Sequence, residues 1–266
     1  MSETGIGASV RRKEDFRFIT GKGRYTDDIN RHGQAHAFFI RSPHAHATIN
    51  GIDASAARKM KGVLAVLTGD DLAADKVGGL ICGWMIHSKD GSPMKAGAHP
   101  ALAQGKVRYV GDHVAVVIAD TYALARAAAE KVVVDYGVLP AIVDTATAAK
   151  AGAPVLHDVA PNNTVYDWKL GDKDATDAAF ARAKHVTTLE IVNNRLAPNP
   201  MEPRAAVGEY DEGSESFTLY TTSQNPHVAR LVLSAFIGIA PEHKLRVVAP
   251  DVGGGFGSKI FIYAEE

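Results

Sequence analysis

Apolar residues fall in short runs punctuated by glycine and proline, and most of the runs have strand length. Residues 35–40 predict a strand stopped by Ser42-Pro43, and residues 45–52 a second extended run. Residues 55–60 have helical character, with Gly62 as their stop. Residues 63–68 form an apolar run of buried-strand length. The glycines and prolines of residues 75–105 predict a long loop, and a loop of that length is expected to cover a site or meet a partner. Residues 113–119 read as a strand, 122–130 as an alanine-rich helix capped by Asp120, and 132–136 as a returning strand. Strand, helix and strand in succession predict an α/β layer architecture.

Residues 145–163 are rich in Ala, Gly, Pro and Asn, and a domain boundary is expected there. Beyond it, residues 176–184 predict a helix, 185–192 an extended segment and 217–222 a strand. Pro226 suits the first position of a helix, where its missing donor does no harm. Val228, Leu231, Val232, Ala235 and Phe236 recur at helical spacing, and Gly238 and Pro241 end the pattern. Residues 244–248 predict a strand that runs into Gly253-Gly-Gly-Phe-Gly-Ser-Lys259. The sequence stops at Ala264-Glu-Glu266 without a stop signal, so a fragment, or one piece of a split subunit, is expected.

Charge narrows the function classes. The 266 residues carry 29 Lys+Arg against 30 Asp+Glu, which gives no electrostatic footprint for nucleic acid or an anionic membrane. A single cysteine, Cys82, excludes an intrachain disulfide, a tetrathiolate zinc and an iron–sulfur cluster held by this chain. It is expected to be a small buried residue. No apolar run approaches the roughly 20 residues of a membrane span. The polar start has no signal-peptide run, so a soluble cytoplasmic protein is expected.

Gly253-Gly-Gly-Phe-Gly257 follows a strand, and successive glycines let a backbone approach a ligand and aim its amides inward. It is neither a Walker loop, since no Gly-Lys-Ser/Thr follows, nor the dinucleotide fingerprint, since Ser258 stands at the third glycine. A bare turn between strands fits the same pattern. Ser223-Gln224-Asn225-Pro226 could present a side-chain amide beside a helix terminus, or be a plain N-cap turn with Asn225 as the cap. In Asn199-Pro-Met-Glu-Pro-Arg204, Glu202 suits an acid/base role and Arg204 an anion, while a structural ion pair is the plainer reading. His44 and His46 fall on one strand face as a zinc pair would, but no further ligand stands at a suitable spacing.

Several of these motifs occur together in one order. They are Arg12-Lys-Glu-Asp-Phe-Arg-Phe18, Gly21-Lys-Gly-Arg-Tyr-Thr-Asp-Asp28, Arg41-Ser-Pro-His-Ala-His46, Arg108-Tyr-Val-Gly-Asp112, Asn199 to Arg204, Thr221-Thr-Ser-Gln-Asn225 and Gly253 to Gly257. By them the chain resembles the molybdenum-binding large subunit of the xanthine dehydrogenase/aldehyde oxidase family, especially the bacterial branch that includes aerobic carbon monoxide dehydrogenase. The resemblance implies an α/β (α+β) fold. A hammerhead domain is expected over residues 1–145, a linker over 146–160, and the first part of a molybdopterin-binding domain over 161–266. It implies that Gln224 lies beside the molybdenum oxo group, and that Gly254, Gly255, Phe256 and Gly257 contact the cofactor. Gln224 and Phe256 would sit near the metal without ligating it.

The implied reaction is oxidative hydroxylation of a small substrate with water as the oxygen source. Carbon monoxide, an aldehyde or an N-heterocycle would serve as that substrate. The implied cofactor is molybdenum-molybdopterin in its cytosine dinucleotide form. A [2Fe-2S] subunit and an FAD subunit are the implied partners, in a dimer of heterotrimers. Some purine-oxidising members carry a glutamate where Ile260 stands here, which argues against a purine. The family's general-base glutamate falls beyond residue 266, so this stretch alone is expected to be inactive. The other reading is a non-catalytic cofactor-binding or assembly module.

Overall fold

The computed structural model describes residues 5–266. Its first half is built around one continuous apolar run, β5 (His113–Ala119). That run lacks polar alternation because both faces of the strand are covered. β5 is the centre of an antiparallel sheet, flanked by β1 (His36–Arg41) and β3 (Val63–Thr68). Besides the short helices α1 (Asp15–Ile19) and α3 (Gly69–Ala74), this half holds α2 (Ser55–Arg58), whose Ala57 packs with Val117 and Val66 on one face. Ala128 and Ala129 of α4 (Tyr122–Ala129) complete that layer. Val114 belongs to a second core, with Ala47, Ala103 and Val107. That core lies against the second sheet, in which β2 (Ala47–Asp53) is central between β4 (Lys106–Val107) and β6 (Val133–Val138).

The expected α/β layer is present, with α4 packed on the first sheet, but the strands on either side of the helix are not partners. β5 and β6 lie in different sheets, and both sheets are antiparallel. Local pattern places a helix between two strands but does not choose their partners. The cap of α4 also differs from expectation. Thr121, not Asp120, accepts the amide of Leu124, at 3.2 Å. The Asp120 carboxylate instead lies against Gly62, where a Cβ would come within 2.8 Å of it.

The second half has one long exposed helix, α5 (Lys173–Arg182), begun by Asp172, which accepts the Ala175 amide at 2.9 Å. Residues 185–192, expected to be extended, join no ladder among the described residues. Val186, Leu189, Ile191 and Val192 are all exposed, so the apolar pattern of this stretch has no partner here. The third sheet pairs β7 (Ala206–Asp211) antiparallel with β8 (Ser216–Thr221), and β8 parallel with β9 (Leu245–Val248). β7 had no counterpart in the sequence reading. A parallel pair needs a crossover, which α6 (Pro226–Leu231) and the π turn Val232–Ile237 supply. Pro226 takes the first helical position and Gly238, at φ 81°, closes the crossover as expected.

The buried face of the crossover is not the predicted one. Ala229, Leu233 and Ile237 are buried, while Val228, Leu231 and Phe236 are exposed. The three buried residues lie four apart on one face of the crossover, and Leu233 and Ile237 on that face pack against Leu219 and Leu245 of the sheet.

The long loop joins the halves. Val77 and Leu80 enter the core formed by Leu219, Leu233, Ile237 and Leu245, and Gly78 donates to the carbonyl of Ile237 at 2.8 Å. A Cβ at Gly78 would stand 2.6 Å from the Phe236 carbonyl, so this close approach requires glycine. Cys82, further along the loop, is exposed rather than buried, because this part of the loop joins none of the hydrophobic cores. No helix among the described residues is long and apolar enough to cross a membrane.

Candidate functional site

β8 and β9 are parallel neighbours, so their carboxyl ends open on the same edge. The Gln224 turn leaves β8 there, and the glycine loop follows β9 there. Ligands of parallel sheets bind at such an edge. The two motifs, 29 residues apart from Gln224 to Gly253 in the chain, thus meet in space.

Their contact is specific. The Gln224 side-chain oxygen accepts the Gly257 amide at 3.0 Å, and the Gln224 backbone amide donates to the Lys259 carbonyl at 2.8 Å. Because the side-chain oxygen is used, the amide nitrogen of Gln224 is the free end. It makes no hydrogen bond to the described residues. Gly255 is buried under this side chain, and a Cβ there would collide with the carboxamide. Asn225 stands at the N-cap of α6 but makes no side-chain cap bond, so the plain capping role is not what this turn serves.

The loop is bent by three left-handed residues: Gly254 at φ 91°, Phe256 at 50° and Gly257 at 85°. For a non-glycine such as Phe256 that conformation is strained, and strain of this kind concentrates at functional turns. Phe256 is 75% exposed, so its ring is not buried to offset the cost. The amides of Gly254, Gly255 and Phe256 have no acceptor among the described residues. Three successive amides without an acceptor among the described residues, in a bend that also holds the Gln224 carboxamide, are the donor type that suits oxyanion or oxo oxygens. The donor set therefore fits a group that presents such oxygens, as a molybdenum-pterin cofactor does.

The Asn199 to Arg204 turn packs beneath this loop, in the structural role that was the plainer reading. Glu202 Oε2 accepts the Gly253 amide at 2.7 Å and pairs with Lys259 Nζ at 2.8 Å. Arg204 donates to the Ser258 carbonyl and lies over the Tyr263 ring, 3.5 Å from its centroid. Lys259 stands at the end of the loop motif, but no spacing rule turns a lysine inward. Only the fold reveals its partner. Asp251, just before the loop, accepts the Arg24 amide at 2.7 Å and pairs with Arg17, which ties the N-terminal motifs to the site.

The remaining motifs fall elsewhere. Ser42 and Asp112 bring the Arg41 and Arg108 motifs together through backbone bonds of 2.8 Å. Glu265 joins that junction by accepting from His113 at 2.8 Å and pairing with Arg41. Burial opposes the charge of Glu265, but bonds from His113 and Arg41 outweigh it and hold the carboxyl at about 2. His44 and His46 form no metal site. His46 is buried with Nδ1 2.8 Å from the Pro140 carbonyl, and His44 packs edge-on against Tyr136. Among the described residues no cluster of His, Cys, Asp and Glu suits a metal ion.

The chain is similar in sequence and fold to known proteins. Residues 20–140 match the family described as aldehyde oxidase and xanthine dehydrogenase, a/b hammerhead domain. Residues 156–266 match the molybdopterin cofactor-binding domain. The carbon monoxide dehydrogenase large chain of Hydrogenophaga pseudoflava is 42% identical over 94% of this chain and 31% of its own length. The nicotine 6-hydroxylase large subunit of Paenarthrobacter nicotinovorans is 37% identical over 98% of this chain and 31% of its own. In structure, the chain is similar to CO dehydrogenase from Oligotropha carboxidovorans, with a TM-score of 0.85 at 38% identity over 98% of this chain and 32% of that one. The chain spans about a third of the length of these relatives.

Proposed function

The chain belongs to the xanthine dehydrogenase/aldehyde oxidase family, and from that premise we propose that it forms part of the cofactor cradle of a molybdenum hydroxylase. The observation that carries this reading is the Gln224 carboxamide, anchored through its oxygen to Gly257, whose nitrogen, like the amides of the three loop residues 254–256, has no partner among the described residues. Gln224 and the loop amides of Gly254, Gly255 and Phe256 hold the cofactor. When bound, the molybdenum-molybdopterin supplies the two-electron redox chemistry and the transfer of oxygen from water. The work of this chain is positional. The Gln224 amide nitrogen would be a donor toward the cofactor, and the fixed loop amides would offset its negative charge without rearranging, which is electrostatic preorganisation.

The substrate is a small molecule: carbon monoxide, an aldehyde or an N-heterocycle. Relatives named for carbon monoxide and for nicotine both share the chain's two domains. Ile260 puts an apolar, partly exposed side chain where a purine-binding carboxylate would be needed. The cofactor is the cytosine dinucleotide form. Electrons leave to an iron–sulfur subunit and an FAD subunit in a cytoplasmic dimer of heterotrimers. The general base comes from a later segment of the complete enzyme.

Gln224→Ala in the complete enzyme tests the reading. Turnover per bound molybdenum falls about a hundred- to a thousand-fold, the cost of one preorganised donor, about 2.7–4 kcal/mol. Asn225→Ala, whose side chain caps nothing, leaves turnover per metal near native. Near-native turnover in Gln224→Ala overturns the assignment.

A further inference from the structure

Lys259 is 1% exposed, an unusual place for an ammonium group. Its Nζ donates to Glu202 Oε2 at 2.8 Å and to the Glu202 carbonyl at 2.9 Å. Glu202 Oε2 also accepts the Gly253 amide at 2.7 Å, and the Glu202 amide returns a bond to the Gly253 carbonyl at 3.4 Å. The Lys259 carbonyl accepts the Gln224 amide at 2.8 Å. One residue therefore ties the proline-bracketed turn, the Gln224 turn and the glycine loop to each other.

Stability alone is a poor reason for this pair. A buried ion pair seldom outperforms apolar residues of the same volume, and Glu202 Oε1 is left buried with no partner among the described residues. The geometry offers a better one. The loop is pinned at Gly253 by Glu202, at Gly257 by Gln224, and at residue 259 by its own side chain. The amides with no acceptor, those of residues 254–256, are the span between these pins. A Cβ at Gly253 would stand 2.6 Å from the Glu202 Cβ, so the loop is seated on this turn without clearance.

We propose that the Glu202–Lys259 pair is a latch that fixes the height of the glycine loop against Gln224, which makes Lys259 a positioning residue for the cofactor. The inference rests on the reading of Gln224 and the loop as the cofactor site. The latch acts through the backbone, because the Lys259 ammonium is used by Glu202.

The test is Lys259→Met in the complete enzyme, which keeps the apolar stem and removes the ammonium. In the cofactor-free form, amide exchange at Gly253 and Gly257 accelerates at least ten-fold. In the loaded form, molybdenum per subunit falls several-fold, and kcat per bound molybdenum falls at least ten-fold with KM unchanged, because the metal rather than the substrate is displaced. Glu202→Gln keeps an acceptor for Gly253 but drops the charge. It gives the same pattern in weaker form, and it carries the test if Lys259→Met does not assemble. Native exchange at Gly253 overturns the latch. So does accelerated exchange with native turnover per molybdenum, which marks a merely structural pair. Failure of the underlying reading has another signature: Gln224→Ala itself then keeps native turnover per metal, and the latch falls with it.

Discussion

Gly255→Ala isolates the contact on which the site reading depends. The backbone of Gly255 is not left-handed, so alanine there carries no conformational strain, and the whole effect is steric. The new Cβ would stand 2.5 Å from Gln224 Cδ and 2.6 Å from its Cγ, where ordinary contact begins at 3.4 Å. The carboxamide must then retreat by about 0.9 Å, and its bond to Gly257 is lost or stretched. A misplacement of about 1 Å in a positioned group costs roughly a hundred-fold in rate. Full loss of the donor raises that towards a thousand-fold.

A double-mutant cycle makes the argument strict. Gln224→Ala removes the atoms that Gly255→Ala would strike. The double variant therefore turns over no more slowly per bound molybdenum than Gln224→Ala alone. The assay is turnover against molybdenum content in the wild type, both single variants and the double variant. Multiplicative losses in the double variant would refute the reasoning, because they would mean that Gly255 acts on the cofactor independently of Gln224. A silent Gly255→Ala would refute it as well.

Thr121→Ala removes the side chain that caps α4, and exchange at the Leu124 amide should accelerate about five-fold, the equivalent of about 1 kcal/mol, whereas Asp120→Ala leaves that amide protected. Glu265 has its carboxyl lowered from 4.5 to about 2, so its contribution is fully present above pH 4.5 and is lost as pH falls from there towards 2. Acid denaturation should show the wild type ahead of Glu265→Gln at pH 5, by on the order of 1–2 kcal/mol after solvent screening, with the two converging near pH 2. A constant gap across that window would mean that the carboxylate does not hold its charge in the folded state.

Local pattern alone carries the elements whose signal is local. β5 reads directly from an uninterrupted apolar run, and the crossover's start from Pro226 and its end from Gly238, because turn and cap chemistry depends on a few adjacent residues. The motifs from Arg12 to Gly257 likewise identify the family from their order in the chain. Partner choice is a different matter. The sequence offers β5, α4 and β6 in succession, but the hydrogen bonds send β5 and β6 to separate antiparallel sheets, since pairing is decided by which apolar faces meet across long separations. Nothing near residues 228–236 announces that Ala229, Leu233 and Ile237 rather than their neighbours face the core, because the packing of the crossover on the sheet decides that. The candidate site has the same division. Gln224 and the glycine loop are legible one by one, but their meeting follows from β8 and β9 lying parallel. The burial of Lys259 against Glu202, 57 residues away, belongs to the tertiary structure alone, because desolvating a charge is tolerable only where the fold has already placed its counter-charge.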